Sequence, residues 1–160
     1  MENEMKKPKM AVTSLDPSIA ELAHTSDHKI LAVWAADCAE RVLPFFEEKH
    51  PEDRRPRQAV DAIREWARTG IFRMADVRGT SLAAHAAARD VQDDDAARSA
   101  ARAAGQAMAC AHVPAHAIAA AIYAATAVRD GADPANADAT AYEERVWQYQ
   151  HLQDLGDPVR

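Results

Sequence analysis

Apolar residues recur at every third or fourth position along most of the chain, which is the spacing of amphipathic helices. The clearest stripe follows Asp27 and contains Leu31, Trp34 and Cys38. Asp27 can cap the start of a helix, and Pro44 is expected to kink this helix or to split off its last turn. The segment 28–50, opened by Ser26 and Asp27, therefore predicts one long helix with a proline near its end.

A second amphipathic helix is predicted between Pro56 and Gly70, with Val60, Ile63 and Trp66 on its buried face. Proline is tolerated in the first helical turn, where its missing amide proton costs no hydrogen bond, and glycine often ends a helix. The charged segment PEDRRP before this helix is interpreted as a connector.

Three alanine-rich segments and a closing helix follow. The sequence ADVRGTSLAAHAAARDV predicts a helix, and QDDD after it supplies a cap for the next helix, which runs from about residue 95 to 112. Pro114 should break or bend the chain before a further helix that continues to Val128. In the closing segment ATAYEERVWQYQHLQDL, Tyr142, Val146, Trp147 and Leu152 are expected near one side.

This pattern predicts an all-α fold, a single-domain bundle of five to six helices. Short connections favour antiparallel neighbours, and one or two helices should be kinked by proline. The domain is expected over residues 15–155, preceded by a flexible N-terminal arm over residues 1–14. The chain contains 38 alanines and only 5 glycines in 160 residues, which is a composition of closely packed helices.

The charge balance limits the classes of partner. A net charge of −6, from 19 Lys and Arg against 25 Asp and Glu, argues against nucleic-acid binding, because that needs a basic face. It suits an acidic surface that meets a basic partner. The clustered carboxylates fall in two loops, one with Glu47, Glu48, Glu52 and Asp53, the other with Asp93, Asp94 and Asp95.

The distribution of apolar residues predicts no membrane association. No stretch of 18 apolar residues without charge or histidine predicts a membrane span, and the first residues lack the apolar segment of a signal peptide. Cys38 and Cys110 lie on apolar helical stretches and are interpreted as reduced, structural thiols. We therefore expect a cytoplasmic protein.

Polar residues four positions apart are the main candidates for a site. Such pairs share one face of a helix. They can be ordinary surface pairs, or they can point inward and bond across to another helix, where they would fix the register of packing. The pairs are Asp37 with Arg41, Arg57 with Asp61, His85 with Arg89, Arg102 with Gln106, and His112 with His116.

His112 and His116 invite a metal or catalytic interpretation. Two histidines at this spacing can bind Zn²⁺ from one helix face, with His85 or Cys110 completing the set, but Pro114 between them removes the common face. A histidine base oriented by Asp37 or Asp61 would suit proton transfer. Because the chain lacks the motifs of known catalytic sites, the sequence favours a non-catalytic protein without metal or cofactor.

Several segments resemble, in order and spacing, a bacterial family of immunity proteins, the immunity-protein-five-like group of polymorphic toxin systems. The resemblance covers about residues 28–152 and rests on WAADCAERVLPFFE, RPRQAV, AAHAAARD and AHVPAHA. It implies a small helical cytoplasmic protein that binds and neutralises a cognate toxin, and it supplies no catalytic residues. The positions that carry it are Trp34, Asp37, Arg41, Arg57, His85, Arg89, His112 and His116.

Two functions of different kinds follow. The first is an immunity protein that acts by binding a cognate protein toxin. The alternative is a small-molecule-binding protein or enzyme with a polar cleft between helices, and a homodimer that uses exposed alanine-rich faces is a third possibility. The candidate cleft residues are the eight that carry the resemblance together with Asp61.

Overall fold

The computed structural model describes residues 8–71 and 73–157, and these residues form helices and connecting turns without strands. The all-α prediction is confirmed. The helices are α1 Asp16–His24, α2 His28–Val42, α3 Pro44–Glu47, α4 Arg55–Thr69, α5 Met74–Asp90, α6 Asp95–Ala109, α7 His116–Gly131 and α8 Ala137–Leu155.

Within the described residues the number of helices exceeds the five to six expected. Seven segments have nine residues or more, and α3 is a single turn. Pro44 splits off α3, as expected, because its ring prevents α2 from continuing. Pro114 lies in the gap between α6 and α7, so these are two separate helices.

Local signals set several of the helix ends. The Asp27 carboxylate accepts a hydrogen bond from the Lys29 amide at the start of α2, and Asp94 accepts one from the Ala97 amide at the start of α6. Gly70 ends α4 in the left-handed conformation, with φ of 70°, which glycine adopts without steric cost. These ends agree with the sequence predictions.

Helix α6 lies at the centre of the bundle and contacts α2, α3, α4, α5 and α7. Its alanines at 97, 100, 101, 103, 104 and 107 are fully buried. Side chains this small allow neighbouring helices to approach closely, so the core consists mainly of backbone and methyl groups. The larger core side chains, such as Trp34, Phe46 and Ile63, come from the helices around α6.

The segment before α1 lies against α7. The Ala11 amide donates to the Thr126 hydroxyl at 2.9 Å, and Arg129 donates to the Pro8 carbonyl at 2.7 Å. These contacts hold the described part of the predicted arm, residues 8–14, to the domain. Residues 1–7 of that arm lie outside the described residues.

Helix α8 buries a polar face rather than the apolar side expected. Tyr142 is 43% exposed, while Glu144, Arg145 and Gln148 are buried together with Leu152. The prediction for α8 concerned the apolar residues alone and did not anticipate that these polar residues would be buried. Here the buried polar groups hydrogen-bond to one another and to other helices, which removes the cost of burying them.

Candidate functional site

The predicted polar residues of α2 and α4 join an ion-pair network with α8. One Asp37 oxygen accepts from Arg64 on α4 and the other from His151 on α8, both at 2.7 Å. Arg64 also lies 3.6 Å from Glu40 on α2. Asp37 thus bonds to two other helices and not to Arg41, its neighbour four residues along.

Arg41 extends this network to α8. Its Nε and Nη2 donate to the two carboxylate oxygens of Glu144 at 2.7 and 3.0 Å. The guanidinium lies 3.8 Å from the centre of the Trp147 ring, and His151 stacks on Trp147 with its ring centroid 4.7 Å away. The hydrogen bond with Glu144 raises the pKa of Arg41.

Arg57 on α4 binds two carboxylates at once. It donates to Glu40 of α2 at 2.7 Å and to Glu47 of α3 at 2.6 Å. Trp34 is fully buried, and its indole N–H donates to the Gln148 carbonyl at 2.9 Å. Asp61, one turn beyond Arg57, is exposed. These contacts support the register interpretation of the pairs on α2 and α4.

A second group of predicted residues surrounds an open cleft between α5, the end of α6 and the start of α7. The cleft has a volume of about 270 Å³. We call it the histidine cleft, because His85, His112 and His116 all line it. Its other lining residues are Met74, Val77, Arg78, Ser81, Leu82, Gln106 and Ala109.

His85 is held in the cleft by two residues of α6. Arg102 lies 2.8 Å from its Nδ1, and the ring rests against Gly105, where a Cβ atom would come within 2.8 Å of Nε2. Burial, followed by the charges of Arg102, Arg89 and His116, lowers the pKa of His85 to about 4. His85 is therefore neutral at physiological pH.

The other two histidines belong to the break between α6 and α7. His116 is the first residue of α7, and its Nδ1 lies 2.7 Å from the Gln106 side-chain oxygen. His112 is exposed in the turn before Pro114. The two residues therefore do not lie on one helix, which agrees with the argument from Pro114 against a zinc pair.

The structure distributes seven of the nine candidate residues over two places and leaves the other two outside both. His85, His112 and His116 meet at the histidine cleft, whereas Trp34, Asp37, Arg41 and Arg57 bond within α2, α3, α4 and α8. Arg89 is exposed on α5 outside the cleft lining, and Asp61 is exposed on α4.

Sequence reasoning missed the part of the cleft that α5 contributes. Met74, Arg78 and Leu82 follow one another at four-residue spacing, and His85 continues the same stripe. This periodicity was available in the sequence. It was overlooked because Met74 and Leu82 resemble core residues, although they are 36% and 58% exposed.

The two acidic loops predicted from the sequence meet at the opposite end of the α5–α6 pair. Lys49 bonds to Asp94, and Arg55 donates to both Asp53 and Asp90 at 2.7 Å. The hydrogen bond from Arg55 lowers the pKa of Asp53. We call residues 47–55 and 90–95 the acidic end, which contains eight carboxylates against three Lys and Arg.

Metal binding and thiol chemistry are the other possibilities for the described residues. No group of three or more His, Cys, Asp or Glu is arranged there to hold a metal ion. Cys38 and Cys110 are buried free thiols, as predicted, and burial raises the pKa of Cys110 to about 12. None of the helices in the described part of the chain has the length and apolarity to span a membrane.

Comparison with known proteins agrees with the resemblance seen in the sequence. A family model described as "Imm-5 like putative immunity protein" matches residues 21–155. No curated protein and no solved structure matches the chain. The match spans α2 to α8 and both groups of candidate residues. The chain belongs to the Imm-5 like family of immunity proteins.

Proposed function

We propose that this protein binds a cognate bacterial protein toxin in the cytoplasm and neutralises it without catalysis, through the face that carries the histidine cleft. Membership of the family supports an immunity role. The observation that supports this face is the position of the exposed large apolar side chains. Of six such residues in the described chain, Met74 and Leu82 line the cleft, Ile71 lines a neighbouring pocket that shares Val77 with it, and Val113 follows the lining residue His112 in the sequence. We call these four the apolar rim.

The apolar rim has the character of a protein interface. Isolated exposed apolar residues need no explanation, but a cluster beside a concave site is typical of a binding surface. Ile71 is 70% exposed and Leu82 58%. Arg73 and Arg78 lie among these side chains, and arginine is enriched at interface centres. Contact with a partner would remove this apolar surface from water.

The small-molecule alternative receives less support from the geometry. The cleft volume of about 270 Å³ is below the ~300–1,000 Å³ of typical ligand pockets. Asp37, one candidate to orient a histidine base, is bonded to Arg64 and His151 instead, and Asp61 lies on α4. The site therefore suits one inserted side chain better than an enclosed substrate.

Co-expression with the product of the adjacent toxin-like gene tests the proposal. We expect the wild-type chain to restore growth and to co-purify with the toxin. Leu82→Asp should abolish both effects, because it places a charge within the apolar rim at a residue that lines the cleft. Tyr142→Asp makes the same kind of change at an exposed residue of α8 and should retain both.

Circular dichroism and thermal unfolding would establish that the two variants are equally folded. Retained rescue by folded Leu82→Asp would show that the toxin binds elsewhere on the molecule. If no neighbouring gene product is toxic, or if the toxic one does not bind, the immunity role itself is contradicted.

A further inference from the structure

The histidine cleft is depleted of negative charge in a protein that is negatively charged overall. The chain contains 25 Asp and Glu, yet no carboxylate is among the described residues that line the cleft. Arg78 stands at its edge, and Arg102 lies directly behind His85. The local potential is therefore more positive than the surface average, which favours an anionic occupant.

His85 offers a hydrogen-bond donor that no described residue uses. A guanidinium can only donate, so the bond with Arg102 requires Nδ1 of His85 to be the acceptor. The neutral ring then carries its proton on Nε2. No hydrogen bond within the described residues involves that atom, and no buried polar side-chain atom there lacks a partner. Nε2 is therefore not fully enclosed, and because His85 lines the cleft this donor is available to an occupant.

The wall beside this donor is apolar. Met74, Val77 and Leu82 line the α5 side of the cleft. An occupant that satisfies Nε2–H and the Arg78 guanidinium therefore needs an oxygen acceptor, and it also needs an apolar neighbour to cover the α5 wall. Charge-assisted hydrogen bonds to carboxylates meet the first requirement best.

We infer that the histidine cleft receives an Asp or Glu side chain of the partner protein, whose apolar neighbour in sequence packs on Leu82. The inference rests on the proposed function for the identity of the partner. The carboxylate accepts from Nε2–H of His85 and from Arg78, and the cleft volume of about 270 Å³ accommodates one such side chain. The toxin is thereby anchored by an acidic residue beside an apolar one.

A pair of blocked dipeptides tests this chemistry without the toxin. N-acetylated, amidated leucyl-glutamate is titrated into the ¹³C-labelled full chain while the imidazole resonances of His85, His112 and His116 are followed by NMR. Leucyl-glutamine, blocked in the same way, is the uncharged control. We expect saturable shifts with the glutamate peptide in the millimolar range, as suits a ligand of this size, and much weaker ones with the glutamine peptide.

Two variants of α5 distinguish a direct contact between Arg78 and the glutamate peptide from a general effect of positive charge on this helix. Arg78→Gln and Arg89→Gln each remove one exposed positive charge from the same helix, but only Arg78 lines the cleft. Arg78→Gln should weaken binding of the glutamate peptide about fivefold. Arg89→Gln should change it much less.

Equal binding of the two peptides, equal effects of the two variants, or no saturable shift would each overturn the inference. Binding of free hexanoate but of neither peptide would do the same, since it would indicate a small-molecule site. These results are distinguishable from failure of the proposed function. If neutralisation of the toxin depends on Leu82 but the glutamate peptide does not bind, the proposed function is retained and the carboxylate anchor is refuted. If the glutamate peptide binds but no toxin does, the cleft binds a carboxylate and the proposed function is contradicted.

Discussion

At the scale of single residues, the contact between His85 and Gly105 places the imidazole of a cleft residue directly against α6. The imidazole lies so close to α6 that any side chain at position 105 would overlap it, with a Cβ atom 2.8–2.9 Å from three ring atoms. Glycine costs helix stability relative to alanine. Its presence here is explained by the space that the ring requires.

A matched pair of glycine substitutions measures this requirement. Gly79→Ala meets nothing within 4 Å on α5 and should raise the free energy of unfolding by roughly 0.5–1 kcal/mol. Gly105→Ala should lower it by roughly 1–2 kcal/mol, because the His85 ring must move. Urea unfolding of the two variants checks both signs. A stabilising Gly105→Ala would mean that the ring moves aside freely.

The titration of His85 gives a second residue-scale prediction. Its pKa falls from an ordinary 6.5 to about 4 in the folded chain, so the unfolded chain binds the proton more readily. Stability is therefore lost as the pH falls from 6.5 towards 4. His85→Gln keeps an acceptor for Arg102 but removes the pH-dependent contribution of His85 to stability. The difference in the free energy of unfolding between wild type and variant should therefore change between pH 6.5 and pH 4.

The measurement is urea unfolding at a series of pH values, together with an NMR titration of His85. The carboxylates of Asp16 and Asp53, whose pKa values are lowered below 3.8, lose their contribution at lower pH. They occur in both proteins and cancel in the difference. A His85 resonance that titrates near pH 6.5 would contradict the prediction.

At the scale of elements, α8 is attached to the bundle by buried polar groups. Arg145 donates to Asp16 of α1 and to the Gln148 side-chain oxygen, and the Gln148 amide donates to the Ala121 carbonyl of α7. Arg145 is 2% exposed and Gln148 fully buried. One arginine thus connects the first helix to the last.

Removing this arginine should destabilise the whole domain. Arg145→Leu removes the charged partner of Asp16, which keeps its bonds from Thr13, and leaves the Gln148 side-chain oxygen without its donor. We expect a loss of about 3 kcal/mol, at the lower end for a broken buried pair. Arg68→Ala, which breaks the exposed pair with Glu65 on α4, is the control and should cause little change. Chemical denaturation midpoints compare the two. Similar losses would mean that burial of Arg145 contributes nothing.

Element boundaries were predictable from the sequence because their causes are local. The Asp27 and Asp94 caps, the Pro44 split and the Gly70 stop each depend on a few neighbouring residues. The partners of polar residues depend instead on how helices meet in space. Four-residue spacing identified the face of Asp37, but it carried no information about Arg64 or His151. For the same reason the sequence predicted a single cleft for two groups of residues that the structure separates, the three histidines and the ion-pair residues of α2 and α4.

At the scale of the whole molecule, the packing of α6 sets how closely all the helices approach one another. Its buried alanines face α5, α7, α4 and α2, so the space around this helix is filled by methyl groups. The alanine faces of α6 are buried within the chain, so a homodimer would have to use alanine-rich faces of other helices. The dimer stays a prediction.

Enlarging one of these alanines tests the close packing. Ala104→Leu should lower the free energy of unfolding by about 1–3 kcal/mol, because the extra atoms force neighbouring helices apart. Ala139→Leu adds the same atoms at an exposed position of α8 and should be nearly neutral. Thermal unfolding distinguishes the two variants. A neutral Ala104→Leu would reveal unfilled space around α6.

The antiparallel pairing of α5 and α6 makes the charge distribution of the molecule asymmetric. The cleft lies where α5 begins and α6 ends, and the acidic end lies where α5 ends and α6 begins. With a rise of 1.5 Å per residue, Asp90 at the acidic end lies about 18 Å along α5 from Arg78 and about 8 Å from His85. The resulting electric dipole exerts a torque on an approaching protein. A partner with an acidic anchor and a basic patch at that separation would be rotated towards its docked orientation before contact.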